Sequence, residues 1–151
     1  MKKIVIGIVV VFVLCVVAIL FIGRTFYPDN IAKTAEDGGK KGLKTRVYKA
    51  DSVTVAKAVK ELVPTLSTYG GSWKIVDKSD GDEVKAFKIE VPVIIFTDDL
   101  EVKIAIKTDG EVKVNVRSAS RVGKSDFGEN ARHIRKFLSA LDKKMKAETS
   151  L

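Results

Sequence analysis

The sequence predicts an α+β domain, in which an antiparallel sheet of about five strands packs helices on one face, preceded by one N-terminal transmembrane helix. Three observations indicate this fold class. Residues 4–22 form an uninterrupted apolar run. Residues 100–106 and 112–117 alternate apolar and polar side chains, which is typical of half-buried antiparallel strands. Two further stretches, residues 55–66 and 134–145, repeat apolar residues at helical spacing.

The apolar run is predicted to be a membrane anchor. Its 19 residues would span roughly 28 Å as a helix, which matches the hydrocarbon thickness of a bilayer. Residues 1–23 are therefore assigned to a transmembrane anchor, with a cleaved signal sequence as the alternative. Lys2 and Lys3 favour an exported domain, although the basic residues after the run count against that orientation. The expected location is the cell membrane, single-pass, with an extracytoplasmic (periplasmic) soluble domain.

The net charge of +8 is unevenly distributed along the chain. Residues 51–151 carry 18 bases and 16 acids, so the folded part is nearly balanced and indicates no nucleic-acid partner. The excess in residues 24–50, beside the apolar run, favours contact with anionic lipid headgroups. Cys15 is the only cysteine, which excludes a disulfide within one chain and a metal site built from cysteines. No cofactor or metal site is predicted.

The remaining chain divides into a linker, one domain and a tail. Residues 24–44 contain Pro, Asp, Asn and a Gly-Gly pair without an apolar period, so they are predicted to be a basic flexible linker. Residues 45–146 form a single α+β domain. Residues 147–151 are expected to fray.

The domain is predicted to begin with a short strand and a helix. Polar and apolar side chains alternate over residues 45–50, which is enough to predict the short strand. Asp51 or Ser52 is expected to cap the helix that follows, and Pro64 to end or bend it. The apolar stripe of this helix consists of Val55, Val59, Leu62, Val63 and Leu66.

Two strand-like stretches follow the helix. Residues 72–78 form the first, with Trp73 and Ile75 on one face. Residues 84–96 are long for one strand, and Pro92 cannot donate to a ladder. A bulge, an edge position or two short strands is therefore expected at Pro92.

The next two strands form a hairpin whose register can be predicted. A loop of three residues, 108–110, gives Gly110 the left-handed position of a bulge and keeps apolar residues opposite one another, with Ile106 facing Val112. This register brings an acidic stretch beside an arginine-serine stretch. The predicted pairs are Glu101 with Arg117, Asp99 with Ala119 and Asp98 with Ser120.

The last predicted element is a helix that starts near Asp126. Asp126 and Glu129 have the spacing of a capping box, with Asp in place of Ser or Thr. The helix should run to about Lys146. His133 misses its core stripe and is expected to be a solvated surface residue. The stripe consists of Ile134, Phe137, Leu138, Leu141 and Met145.

These elements bring polar side chains together, and we call the group the polar corner. Arginines, hydroxyls and the open amides of a helix start suit an anionic ligand. The alternative is that the acids of the corner already pair with its arginines and that the serines hydrogen bond locally. The polar corner consists of Asp98, Asp99, Glu101, Arg117, Ser118, Ser120, Arg121, Ser125, Asp126, Asn130 and Arg132.

The same stretch resembles a known family. The pattern Arg-Ser-Ala-Ser-Arg-Val-Gly-x-Ser-Asp-x-Gly-x-Asn-x-Arg-x-Ile over residues 117–134, with Phe-x-Asp-Asp-x-Glu over 96–101, is similar to the signature of the uncharacterised family called domain of unknown function 1499. The likeness covers about residues 45–145. It implies a shared fold and no particular activity.

Three functions remain open at this point. The first is a membrane-tethered binding or assembly module that uses the polar corner with an anionic ligand or partner protein. The second is an enzyme acting on an anionic small molecule or lipid, with Asp98 or Asp99 as base. A Ser-His-Asp arrangement would need His133 turned toward a serine of the corner. The third is a purely structural envelope protein.

Overall fold

The computed structural model describes residues 2–26, 29–39, 41–107 and 109–149. The fold is α+β, as predicted, with a long apolar helix ahead of an antiparallel sheet that packs two helices on one face. The helices are α1 (Lys2–Phe26), α2 (Ser52–Leu62) and α3 (Glu129–Thr149). The strands are β1 (Ile31–Lys33), β2 (Arg46–Tyr48), β3 (Ser67–Thr68), β4 (Gly71–Ser72), β5 (Lys74–Asp80), β6 (Val84–Val93), β7 (Phe96–Ile106) and β8 (Val112–Ser120).

The main sheet has six strands in the order β1–β8–β7–β6–β5. Strand β2 pairs with β8 on the same edge as β1, at the other end of β8. Strands β3 and β4 form a separate small ladder beside β6. Every pair in the main sheet is antiparallel, because the long strands follow one another through hairpins.

Helix α1 is long and apolar enough to cross a membrane over Lys2–Gly23. The described side chains of this apolar stretch do not pack on the domain, since its apolar window is 0% buried. The helix is consistent with a signal anchor or a signal peptide.

The core lies between the sheet and helices α2 and α3. Alternate residues of β7 and β8, such as Val102, Ile104 and Val114, are fully buried against the helices. The predicted stripe of α2 is buried as well, and Asp51 caps that helix by accepting from the amide of Thr54 at 2.8 Å. The period-2 and helical patterns of the sequence therefore identify the core correctly.

The β7–β8 hairpin has the predicted register. Ile106 lies opposite Val112, and the Lys107 amide donates to the Glu111 carbonyl at 2.8 Å. Gly110 has φ +78, as a left-handed loop position requires. Thr108, the first residue of the predicted loop, lies outside the described residues.

Pro92 occupies an edge position near the end of β6. Strand β5 pairs with β6 only as far as Glu90, so no strand of the main sheet faces Pro92 on that side. The hydroxyl of Thr68 donates to the Pro92 carbonyl at 2.6 Å instead. The strand then turns at Ile94 and Ile95, and Val93 pairs with Phe96.

The prediction of a flexible linker over residues 24–44 is wrong for much of its length. Ile31–Lys33 forms β1 on the edge of β8, and Ala32 and Leu43 are buried. The amide of Thr34 also donates to the Val116 carbonyl at 2.9 Å. A strand of three residues with a single inward side chain has no period to detect, which explains the error.

The two ends of the sheet differ in what they carry. The β6–β7 turn at Ile94 and Ile95, the end of β8 and the start of β1 lie at one end, which we call the anchor-proximal end. In the loop after β8, the Ser125 hydroxyl donates to the carbonyl of Gly23 in α1 at 3.0 Å. The β5–β6 and β7–β8 turns lie at the opposite end, which we call the far end.

Candidate functional site

The polar corner forms at the anchor-proximal end, where β7 and β8 meet the start of α3. The pairing of the two strands is the predicted one, with Asp98 opposite Ser120 and Glu101 opposite Arg117. Successive side chains of a strand point to opposite faces, so the sheet divides the corner into two parts. One part lies on the solvent face of the sheet, and the other lies in the core under α3.

On the solvent face, Arg121 is held by two carboxylates. Its Nε and Nη2 atoms donate to Asp99 Oδ1 at 3.0 and 2.6 Å, and Nη2 also donates to Glu90 Oε1 at 2.8 Å. These hydrogen bonds raise the pKa of Arg121. For Arg121, the alternative that acids of the corner already pair with its arginines is therefore correct.

Arg117 is different, because it does not pair with Glu101 although the two lie opposite each other. The Glu101 carboxylate instead forms an ion pair with Lys103 at 3.3 Å. On its other side Arg117 lies opposite Lys33 of β1. Within the described residues, neither Arg117 nor Lys33 has a carboxylate partner.

A shallow cavity of about 200 Å³ lies at this pair of bases. Both bases are exposed, and like charges directly opposite each other destabilise a strand pair. A negatively charged group in the cavity would offset that repulsion. The cavity is lined by Lys33, Thr34, Glu101, Lys103, Asn115, Val116 and Arg117.

In the core, Asn130 joins three parts of the chain. Its side-chain amide donates to the Asn30 carbonyl at 2.8 Å and to the Ser120 hydroxyl at 2.9 Å, and its oxygen accepts from Ser118 at 2.5 Å. Asn130 is fully buried, and Ser118 is as well. Since the donors and acceptors of a buried amide must be satisfied, this network serves structure.

The side chain of Asp126 caps the start of α3. Its two carboxylate oxygens accept from the amides of Gly128 and Asn130 at 2.8 and 2.9 Å. The helix itself begins at Glu129, three residues later than Asp126, because Phe127 and Gly128 have φ +50 and +81. Asp126 therefore caps the helix start as predicted, but the predicted capping box with Glu129 is wrong, because Glu129 is the first helical residue and its carboxylate accepts from Tyr69 and Arg132 instead.

The prediction that His133 is a solvated surface residue is wrong. His133 is 1% exposed, with Nδ1 at 3.7 Å from Asp98 Oδ2 and Nε2 at 3.5 Å from Glu129 Oε1. Its ring meets the ring of Trp73 edge to face, with centroids 5.9 Å apart. The β3–β4 segment and Trp73 cover the first turns of α3, so the buried face of this helix is wider than its apolar stripe indicates.

Burial shifts the pKa of both members of the Asp98–His133 pair. It raises the pKa of Asp98 to about 6, although a hydrogen bond from Ser120 works in the opposite direction. It lowers the pKa of His133, so the imidazole is neutral at pH 7. Asp98 is 4% exposed, which leaves a substrate no access to this carboxylate in the observed conformation.

The structure does not bring Arg132 to the other arginines of the corner. Arg132 pairs with Glu129, which also accepts from the Tyr69 hydroxyl at 3.0 Å. Sequence reasoning missed Glu129 and Lys33 as members of the site. Glu129 had been assigned only to the helix start, and Lys33 lay in the supposed linker.

The described residues do not assemble a Ser-His-Asp site. Both ring nitrogens of His133 face carboxylates, whereas catalysis of that kind needs one nitrogen at a hydroxyl. The serine hydroxyls of the corner are engaged elsewhere, Ser118 with Asn130 and Ser125 with Gly23.

Fold and site together define a class of protein, namely small α+β domains carried behind one N-terminal apolar helix, with a polar corner where the sheet meets that helix. Within that class the chain belongs to the family described as protein of unknown function (DUF1499), whose model matches residues 27–141. The match begins before β1, in agreement with the place of that strand in the sheet. No curated protein matches the chain.

Proposed function

We propose that this protein is a membrane-anchored binding or assembly module that recognises an anionic group on the solvent face of its sheet. The observation that supports the proposal most strongly is the pair formed by Lys33 and Arg117. Two bases lie directly opposite each other at a cavity, and no carboxylate of the described residues forms an ion pair with either, since Glu101 in the cavity wall pairs with Lys103. The neighbouring bases Lys88 and Arg121 already have partners, Asp77 and Asp99.

The chemistry of the pair fits a carboxylate or phosphate group. A guanidinium presents donors in a planar fork that can bind two oxygens of one anion, and a lysine ammonium adds a point charge. Nearby Asn115 contributes a side-chain oxygen that accepts from Thr45 at 2.9 Å, which fixes one wall of the cavity. The anion can belong to a soluble ligand or partner, or to a lipid headgroup.

Anchoring is the second part of the proposal. The hydrogen bond from Ser125 to Gly23 joins the domain to α1, so the domain is held close to the bilayer rather than on a long tether. The two lysines that begin α1 favour an extracytoplasmic domain. Fusing alkaline phosphatase or green fluorescent protein after Leu151 tests this orientation; only the phosphatase is expected to be active, and the reverse result would contradict it.

Binding can be tested with inorganic pyrophosphate as a compact anionic probe. The full chain is placed in nanodiscs of neutral phosphatidylcholine, and its thermal unfolding is followed by Trp73 fluorescence. Pyrophosphate at 100 times its Kd should raise stability by about 2.7 kcal/mol through preferential binding to the folded state. The rise should disappear in Lys33→Gln and Arg117→Gln.

Lys88→Gln is the matched control, because Lys88 lies on the same face but already pairs with Asp77 at 3.0 Å. It should keep the full response to pyrophosphate. A parallel titration in nanodiscs that contain phosphatidylserine distinguishes the sources of the anion: if a headgroup occupies the site, pyrophosphate no longer adds stability there. An equal response of the wild type and both variants would contradict the proposed site.

A further inference from the structure

The β6–β7 turn exposes apolar side chains to an unusual degree. Ile94 is 76% exposed, Ile95 82% and Phe96 49%. They are consecutive and lie beyond the end of the core, so packing within the domain does not account for them. Contiguous exposed apolar residues mark contact sites for a membrane or another molecule.

Folding of the turn does not account for these residues either. Ile94 has φ +52, a left-handed conformation in which a β-branched side chain is strained. Tight hairpin turns with such positions normally use Asn, Asp or Gly. The chain thus keeps an isoleucine where both solvation and backbone geometry favour a different residue.

The position of the turn indicates what covers it. It lies at the anchor-proximal end, where Ser125 bonds to α1 and the ring of Phe127 lies so close to Gly23 that an added Cβ would be 2.5 Å from it. The loop after β8 adds the exposed side chains of Val122 and Lys124 at this end. The far end is opposite in character, since its two turns carry Asp82, Glu83 and Asp109.

From these observations we infer that the β6–β7 turn inserts Ile94 and Ile95 into the interfacial region of the bilayer that holds α1. Asp98 lies level with the end of β8, so Ile95 projects roughly 10 Å beyond it at the usual rise of a strand. That length matches the depth of about 5–10 Å at which interfacial apolar groups lie. Lys124 then meets the headgroups, and the acidic turns stay away from them.

The inference rests on the proposed anchoring and is independent of the proposed anion site. It makes the anchor a two-point attachment, with α1 as one point and the turn as the other. Such an attachment fixes the tilt of the domain, because tilting it at the junction with α1 would pull the turn out of the bilayer.

The test uses an environment-sensitive fluorophore, NBD, on the full chain in phosphatidylcholine nanodiscs. The dye is attached to Ile95→Cys in a Cys15→Ala background, and the matched control carries it on Asp109→Cys in the far β7–β8 turn. Lipids with a doxyl group near the headgroup should quench the dye at position 95 at least threefold more than at 109. Phe96→Cys provides a second labelled position should Ile95→Cys fail to fold.

Alkaline extraction of phosphatidylcholine vesicles that carry the same labelled chains separates this inference from the anchoring. A retained chain whose dye at both 95 and 96 resembles the control overturns the inference alone. A dye that is shielded from water but not quenched by doxyl lipid also overturns it, because the turn then contacts protein. Loss of the chain from the membrane overturns the anchoring and the inference together.

Discussion

Asp98 and His133 show how single buried residues set the properties of the polar corner. Among the described residues, neither Asp98 Oδ2 nor either ring nitrogen of His133 has a hydrogen-bond partner at normal distance. Buried polar atoms without hydrogen-bond partners reduce stability, and a change of protonation that removes their charge lessens this cost. The two residues are close enough to influence each other, so they titrate as a pair.

The raised pKa of Asp98 predicts a pH-dependent effect of Asp98→Asn. The folded chain holds this proton more tightly than the unfolded chain, so the contribution of Asp98 to stability is present below about pH 4 and is lost as pH rises through about 6. Asparagine is neutral at every pH. The gain in stability from Asp98→Asn should therefore be larger at pH 8 than at pH 4, by on the order of 2 kcal/mol.

Thermal unfolding of wild type and variant at the two pH values measures this difference, with buried Trp73 as the reporter. Asp99→Asn is the matched control on the solvent face, where loss of an exposed ion pair should cost less than about 1 kcal/mol. The account of Asp98 fails if the effect of Asp98→Asn is the same at pH 4 and pH 8. Lowering the pH also charges His133, whose lowered pKa makes that protonation unfavourable in the fold. Because Asp98 and His133 titrate as a pair, the comparison is repeated in a His133→Asn background, in which only Asp98 titrates at this position.

For individual residues, the sequence predicted the partners in strand pairing better than the partners of side chains. The register placed Asp98 opposite Ser120 and Asp99 within reach of Arg121, because alternation and turn chemistry determine it. It could not predict that Arg117 would not pair with Glu101, whose carboxylate pairs with Lys103 instead. It also missed the burial of His133, which depends on a segment distant in sequence.

Among the elements, the β6–β7 hairpin is the one whose sequence disagrees with its conformation. The left-handed Ile94 predicts that Ile94→Gly stabilises the domain by about 1 kcal/mol, because glycine adopts positive φ without strain. Chemical denaturation of the full chain in detergent micelles provides the measurement. If the Ile94 side chain inserts into the bilayer, glycine could not replace it there, which accounts for an isoleucine at a strained position.

Ile95→Gly is the matched control for that prediction. Ile95 is at least as exposed as Ile94 but is not among the residues with positive φ, so glycine there relieves no strain. The control should leave stability unchanged or lower it slightly through the greater freedom of the unfolded chain. Equal gains in both variants would contradict the interpretation of the turn.

The elements also show where sequence reasoning succeeds. The α+β class, the stripes of the helices and the β7–β8 hairpin followed from long periodic patterns. Strand β1 and the β3–β4 pair are two or three residues long and were missed. Their places are set by partners elsewhere in the chain, which a local pattern cannot show.

For the whole molecule, the structure suggests a domain with two unlike ends. The anchor-proximal end carries α1, the polar corner and the apolar turn, and the far end carries acidic turns. Strand β7 has 11 residues, so roughly 35 Å separate the two ends. A domain attached at two points would stand upright and present the cavity at Lys33 and Arg117 to the side, near the bilayer surface.

The orientation of the domain on the bilayer tests this account most directly. Full-length chain in nanodiscs is mixed with a lipid that carries gadolinium on its headgroup, and the broadening of amide NMR signals is measured. The account predicts strong broadening at Ile95 and Val122 and little at Asp82 and Asp109, since the effect falls steeply with distance. Equal broadening at both ends, or stronger broadening at Asp82 and Asp109, would contradict it.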